Sequence, residues 1–123
     1  MNAPTENIHY LIVPVQTGND YQIVELHGEM DKAGLKTVKD DLLDYVEHFP
    51  YGYLVIDLTN LEFINSEGVG FLMTLYSHLV KIKKNLVLIG AKSQVKDVLS
   101  IIGILNFIPY HDLIEDFLRK LSH

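Results

Sequence analysis

The chain contains no cysteine among its 123 residues. This absence excludes a disulfide scaffold, a thiol nucleophile and a zinc site built on cysteine ligands. Six histidines are present, but none of them pairs with another at a metal-ligand spacing, so we expect surface or edge positions for them. Nothing in the sequence indicates a metal or a cofactor.

Positive charge is scarce. Lys and Arg together number 10, against 16 Asp and Glu, and the formal net charge is −6. Binding to the phosphates of a nucleic acid needs a basic surface, so this balance argues against a nucleic-acid partner.

Long apolar runs are also missing. No run approaches the ~18 residues of a membrane span, and the first ten residues show no apolar core of a signal peptide. We therefore expect a soluble cytoplasmic protein. An apolar content of 48% over 123 residues is enough for one globular domain, predicted at 8–123 after a flexible, polar N-terminus at 1–7.

The pattern of apolar residues predicts an α/β fold with the order ββαβαβα(β)α. Two strands, at 8–15 and 21–26, should form an antiparallel hairpin, with Pro14 placing the first at an edge. Further strands are predicted at 51–59 and 86–90, with a short one at 107–110. The alternation with helices implies right-handed crossovers, so we expect a mixed, mostly parallel sheet of four or five strands with about four helices.

Capping residues predict where the helices begin and end. Asp31 is expected to start the first helix and Gly103 to end the third, while Asp112 and Glu115 form a capping pattern before the last. The apolar spacing places Val80 on the inward face of the second helix and Ile102 on that of the third.

The segment 53–71 is the most informative part of the chain. A near-continuous apolar run at 54–58 predicts a buried strand. The apolar residues Leu61, Phe63 and Ile64 are expected to pack the loop after this strand back against the domain. A helix then begins, with either Asn65 or Ser66 as its N-cap. Two helix-weakening glycines, Gly68 and Gly70, imply that something approaches the backbone there, either a neighbouring strand or a partner protein.

These residues carry a family resemblance. Asp57-Leu58-Thr59, followed by the run from Phe63 to Gly70, resembles the signature of STAS domains, in which a strand leads to D-L-S/T and then to F-I-D-S-S/A-G-L/V-G. The segment Gly28-Glu29-Met30-Asp31 is similar to the family's G-E-L-D. Two positions depart from the pattern: Asn65 stands where Asp is usual, and Glu67 where a small residue is usual.

The resemblance implies an anti-sigma factor antagonist that regulates transcription by partner switching. Such a protein binds an anti-sigma factor with serine kinase activity and so releases a sigma factor. The kinase phosphorylates the serine at the place of Ser66, a phosphatase reverses this, and the protein itself is not an enzyme. The alternative is a STAS scaffold or accessory subunit of another assembly, a stressosome or a lipid or anion transporter, that is not regulated by this serine.

The carboxyl ends of the parallel strands should bring the candidate site residues to one edge of the sheet. We expect the partner to cover three segments at this edge. The predicted partner-binding residues are Gly28, Glu29, Met30, Asp31, Asn60, Asn65, Ser66, Glu67, Gly68, Val69 and Gly70.

Four other interpretations concern the segment 53–71. Ser66 is either the phosphorylated serine or a plain N-cap, and Asp57 either accepts loop amides or tunes phosphate transfer to Ser66. A hydrolase is disfavoured, because its nucleophile elbow needs glycine where Ile64 stands. The pair Gly68 and Gly70 also matches no nucleotide-binding loop, since a third glycine and a G-K-S/T motif are both missing.

Overall fold

The computed structural model describes residues 8–122, and the N-terminal segment 1–7, predicted to be flexible, lies outside the described residues. Six strands and four α-helices alternate along this part of the chain. The strands are β1 (Ile8–Val13), β2 (Tyr21–Met30), β3 (Tyr53–Asp57), β4 (Leu61–Ile64), β5 (Asn85–Ile89) and β6 (Tyr110–His111). The helices are α1 (Lys32–Glu47), α2 (Ser66–Lys81), α3 (Ser93–Ile102) and α4 (Ile114–Leu121), with a 3-10 turn at Ile104–Asn106.

The strands form one sheet in the order β1-β2-β3-β5-β6. β1 pairs antiparallel with β2, and the other pairs are parallel. This confirms the predicted α/β fold with an N-terminal edge hairpin, a mostly parallel sheet and four helices. Pro14 lies just beyond β1, which ends at Val13 rather than at the predicted position 15.

β4 is the strand that the sequence did not predict. It pairs with the end of β2, which runs on to Met30 instead of stopping at the predicted Leu26. A bulge between Gly28 and Glu29, with Gly28 at a φ of 108°, lets β2 pair with β3 along its first half and with β4 along its second. Six strands therefore replace the predicted four or five.

Two apolar clusters lie on opposite faces of the sheet. Residues alternate along β3 and β5, so Leu54, Ile56 and Leu88 join the larger cluster, to which buried residues of α1, α2 and α3 contribute. Val55 and Val87 point the other way and pack with Phe117 of α4. Both faces of the central strands are thus buried, which explains their near-continuous apolar sequences.

Two of the helix caps predicted from the sequence are confirmed and one is wrong. The Asp31 Oδ1 accepts a hydrogen bond from the Gly34 amide at 2.8 Å, and Gly103 ends α3 with a φ of 91°. The predicted capping pattern at Asp112 is wrong, because α4 begins one residue later, after Leu113, with no side-chain cap. The Asp112 carboxylate instead accepts from Lys96 Nζ at 3.0 Å.

The inward positions predicted for Val80 and Ile102 are wrong as well. Val80 is 50% exposed and Ile102 49% exposed. In α2 the buried face is centred on Phe71, Leu72 and Leu75, and Val80 lies to its side in the last turn.

Candidate functional site

The start of α2 lies at the carboxyl edge of the sheet, directly after β4. Asn65 has an extended backbone and is the N-cap, and its Oδ1 accepts a hydrogen bond from the Gly68 amide at 3.1 Å. Its carbonyl accepts from the Val69 amide at 3.0 Å, which is the first hydrogen bond of the helix. The choice between Asn65 and Ser66 as the cap, which the sequence left open, is therefore settled for Asn65.

Ser66 is the first residue inside the helix and is exposed to solvent. Since Asn65 makes the capping hydrogen bond, the Ser66 hydroxyl is not used for capping, and the interpretation of Ser66 as a plain N-cap is wrong. Glu67 follows in the first turn, where a negative charge is favourable to the helix dipole. The site thus presents a hydroxyl at the positive end of a helix.

The two glycines of α2 have different roles. A Cβ on Gly68 would overlap the Met30 carbonyl oxygen and would lie 2.7 Å from the Ile64 side chain, so this glycine allows α2 to approach β2. The Met30 carbonyl also accepts from the Asn65 amide at 3.3 Å. Gly70, in contrast, is exposed, and a Cβ there would meet no atom within 4 Å. For Gly68 the approaching group is a neighbouring strand, while the backbone at Gly70 faces open space.

The structure brings the predicted partner-binding segments to one edge. The Gly28 amide donates to the Asn60 carbonyl at 3.2 Å, and Asp31 caps α1 beside them. Met30, Gly68 and Val69 are buried, so they support this surface from beneath. The exposed members of the predicted set are Glu29, Asn60, Ser66, Glu67 and Gly70.

Asp57 closes the turn that follows β3. Its Oδ1 accepts from the Thr59 amide at 2.9 Å and from the Thr59 hydroxyl at 2.6 Å. It also faces Gly90, where a Cβ would come within 3.3 Å of the same oxygen. These contacts agree with the interpretation of Asp57 as an acceptor of loop amides, and none of them involves Ser66.

Two features near Ser66 were not predicted as part of the site. Phe63 was expected to pack against the domain, but it is 45% exposed, and the buried residues of β4 are Leu61 and Ile64. A groove of about 250 Å³ beside Glu67 is lined by Lys32, Leu35, Lys36 and Lys39 of α1. The spacing of these lysines was visible in the sequence, but nothing there showed that they face α2.

Residues 8–122 hold no group of three or more His, Asp or Glu side chains suited to a metal ion. No helix in the same part of the chain has the length and apolar character to cross a membrane.

Comparison with known proteins identifies the family and the fold. The model of the STAS domain family matches residues 10–117. The structure of an anti-sigma factor antagonist from Mycobacterium paratuberculosis is similar over 100% of both chains, with a TM-score of 0.80 and 22% identity. A putative anti-sigma factor antagonist from Thermotoga maritima has a TM-score of 0.78 and 18% identity, over 94% of this chain and 95% of its own.

A third similar structure is the Bacillus cell fate determinant SpoIIAA in its phosphorylated form. Its TM-score is 0.64 and its identity 14%, over 90% of this chain and 98% of its own. At these identities the solved structures show the fold alone.

Proposed function

Because this chain belongs to the STAS domain family, we propose that it is an anti-sigma factor antagonist that is switched off by phosphorylation of Ser66. In its unphosphorylated form it binds an anti-sigma factor with serine kinase activity and so releases a sigma factor. A phosphatase acting on phosphorylated Ser66 restores binding. The chain is the substrate and the switch, and it carries out no catalysis itself.

The observation that carries this proposal is the position of Ser66. It is exposed at the first position of α2, and Asn65 takes the capping role that would otherwise occupy a serine hydroxyl. The hydroxyl is therefore accessible to a kinase without loss of a structural hydrogen bond. Two similar structures are named as anti-sigma factor antagonists, and a third was solved in a phosphorylated form, which supports the same assignment.

The isolated domain should tolerate the modification. A phosphate adds about −1.5 to −2 charges at pH 7, and a helix N-terminus favours an anion, typically by about 0.3–1 kcal/mol. Glu67 in the same turn opposes part of that gain. We therefore expect little change in the stability of the fold.

The complex should respond differently. A dianion buried against a partner without a cation to receive it costs several kcal/mol, because it loses its water. A loss of about 3 kcal/mol already lowers the affinity more than a hundredfold. Phosphorylation should therefore separate the two proteins while the domain stays folded.

The experiment that tests this assignment is incubation with ATP and the anti-sigma factor kinase that is recovered with this protein from its native cells, followed by intact mass measurement. Wild type should take up one phosphate, and Ser66→Ala none. Ser93→Ala is the matched control, because Ser93 is also an exposed first residue of a helix, α3, and this variant should be phosphorylated like wild type. A wild type that takes up no phosphate would favour the unregulated scaffold or accessory subunit instead.

A further inference from the structure

The groove beside Glu67 concentrates positive charge on an acidic protein. Lys32, Lys36 and Lys39 lie four and three residues apart, so they form one stripe along α1, and all three are exposed. We call the groove that they line with Leu35 and Glu67 the basic groove. It holds three of the ten Lys and Arg residues of a chain whose net charge is −6.

The stability of α1 does not explain these lysines. A helix dipole favours acidic residues in the first turn and basic residues in the last. In α1 only Lys32 of these lysines lies in the first turn, directly after the acidic N-cap Asp31, and Asp44 and Glu47 lie in the last. α2 and α4 both follow the favourable arrangement, each with an acidic residue in the first turn and a basic one in the last.

Interactions within the domain do not explain them either. Among residues 8–122, the cations in ion pairs with acidic side chains are Lys92, Lys96 and Arg119, together with two histidines, and no lysine of the basic groove is among them. The three lysines of the basic groove are exposed and take no part in those ion pairs, so their charges are available to a partner.

We propose that the basic groove receives an acidic segment of the anti-sigma factor, a helix or loop bearing Asp or Glu. This inference rests on the proposed function and adds the chemistry by which the partner is recognised. The side chains that line the basic groove, three lysines and Glu67, carry 3 − 1 = +2, which is complementary to two or more carboxylates. Leu35 also lines the groove, but it is only 8% exposed, so the attraction is mainly electrostatic.

The groove also gives the phosphate of Ser66 a second way to act. Ser66 directly precedes Glu67, which lines the basic groove. A phosphate of about −1.5 to −2 charges on Ser66 therefore adds negative charge beside the groove. This weakens the attraction for an acidic segment even where the phosphate itself is not buried.

Two triple variants test the proposal. Lys32→Gln/Lys36→Gln/Lys39→Gln removes the charge of the basic groove. Lys81→Gln/Lys83→Gln/Lys84→Gln removes the same charge at the other end of α2. Binding to the anti-sigma factor kinase recovered with this protein from its native cells is measured by titration calorimetry at low and at physiological ionic strength. We expect the groove variant to bind about tenfold more weakly than wild type and to lose most of its salt dependence, while the control stays within about twofold.

Each other outcome contradicts the proposal in a distinguishable way. The groove variant could bind as tightly as wild type with the same salt dependence, or both triple variants could lose the same affinity. In either case the basic groove is not the recognition site, and the proposed function stands. If wild type neither binds the kinase nor takes up phosphate, both proposals fall together. The melting temperature of the groove variant should equal or exceed that of wild type, and a lower value would show that the lysines have a structural role.

Discussion

At the scale of single residues, capping the helix and presenting a hydroxyl to solvent fall to two neighbouring residues at the start of α2. Asn65 caps the helix through its side-chain oxygen, and Ser66 keeps its hydroxyl exposed. Asn65 also stands where the family pattern has Asp, so the charge that normally precedes the serine is absent. In this chain the charge lies one residue after the serine, at Glu67.

The variant Asn65→Asp tests whether this residue affects stability or phosphorylation. Asn and Asp cap helices about equally well, so the free energy of unfolding in urea should change little. The rate of phosphate transfer to Ser66 should change more, because a second negative charge then lies beside the incoming phosphate. A loss of stability above about 1 kcal/mol, the usual contribution of a cap, would instead make Asn65 a structural requirement.

Gly68 and Gly70 form a matched pair for a second test. A side chain at Gly68 collides with the Met30 carbonyl, so Gly68→Val should destabilise the domain by about 1–3 kcal/mol or more, as overpacking does. Gly70→Val meets open space and should leave the domain folded, but it should weaken binding to the partner. Urea denaturation and calorimetry of both variants are the measurements. Unchanged affinity and stability of Gly70→Val would remove Gly70 from the interface.

At the scale of elements, α4 covers the second face of the sheet mainly through one aromatic residue. Phe117 is 3% exposed, and its ring lies edge-on to Tyr21 and Tyr53 at centroid distances of 5.8 and 5.5 Å. Because α4 is only eight residues long, its stability depends on this packing more than on its own hydrogen bonds.

Phe117→Ala should therefore cost about 3–5 kcal/mol, with loss of protection in the amides of α4 by hydrogen exchange. Leu113→Ala is the control, since Leu113 lies just before the same helix and is 58% exposed, and it should change stability by less than about 0.5 kcal/mol. Equal effects of the two substitutions would mean that α4 is not held by Phe117.

Two tyrosines make the free energy of unfolding depend on pH in the alkaline range. Burial raises the pKa of Tyr45 in α1 to about 12, with a smaller effect from Tyr51. Burial, followed by the hydrogen bond to Asp112, raises the pKa of Tyr110 in β6 to about 12. A pKa raised on folding favours the neutral phenol, so this stability is complete below the unfolded pKa of about 10 and is lost as pH rises towards 12.

Urea denaturation at neutral pH and at about pH 11 measures this loss, and Tyr45→Phe should lose less stability between the two conditions than wild type does. An identical loss in Tyr45→Phe would show that Tyr45 is not one of the groups responsible.

The sequence predicted those parts of the fold that depend on local pattern. The buried strand at 54–58, the hairpin and the Asp31 cap all have short-range signals in residue type and spacing. β4 was missed because its pairing depends on the bulge at Gly28, more than thirty residues earlier in the chain. Asp112 was misplaced because its carboxylate binds Lys96 of α3 instead of an amide of its own helix.

The candidate site divides in the same way. The family motif selects Ser66 and its neighbours because those residues are adjacent in sequence, and their binding role stays a prediction. The basic groove was not predicted, because the lysines of α1 come to lie beside Glu67 only when α1 and α2 pack side by side.

At the scale of the whole molecule, the proposed switch changes the surface charge of a small acidic domain and leaves its fold intact. Its net charge of −6 should keep nonspecific acidic proteins away, while the lysines of the basic groove place positive charge beside Glu67, the residue after Ser66. The central claim is that phosphate on Ser66 abolishes binding without unfolding the domain.

The most direct test is titration calorimetry against the anti-sigma factor kinase recovered from the native cells. The proteins compared are wild type, phosphorylated wild type, Ser66→Ala and Ser66→Asp, and the melting temperature of each is measured. Ser66→Ala should bind as tightly as unphosphorylated wild type. The phosphorylated protein should bind at least about a hundredfold more weakly, and Ser66→Asp should lie between them because a carboxylate carries less charge. All four should melt at similar temperatures. The account is contradicted if phosphorylated wild type binds as tightly as Ser66→Ala, or if it loses binding only because it unfolds.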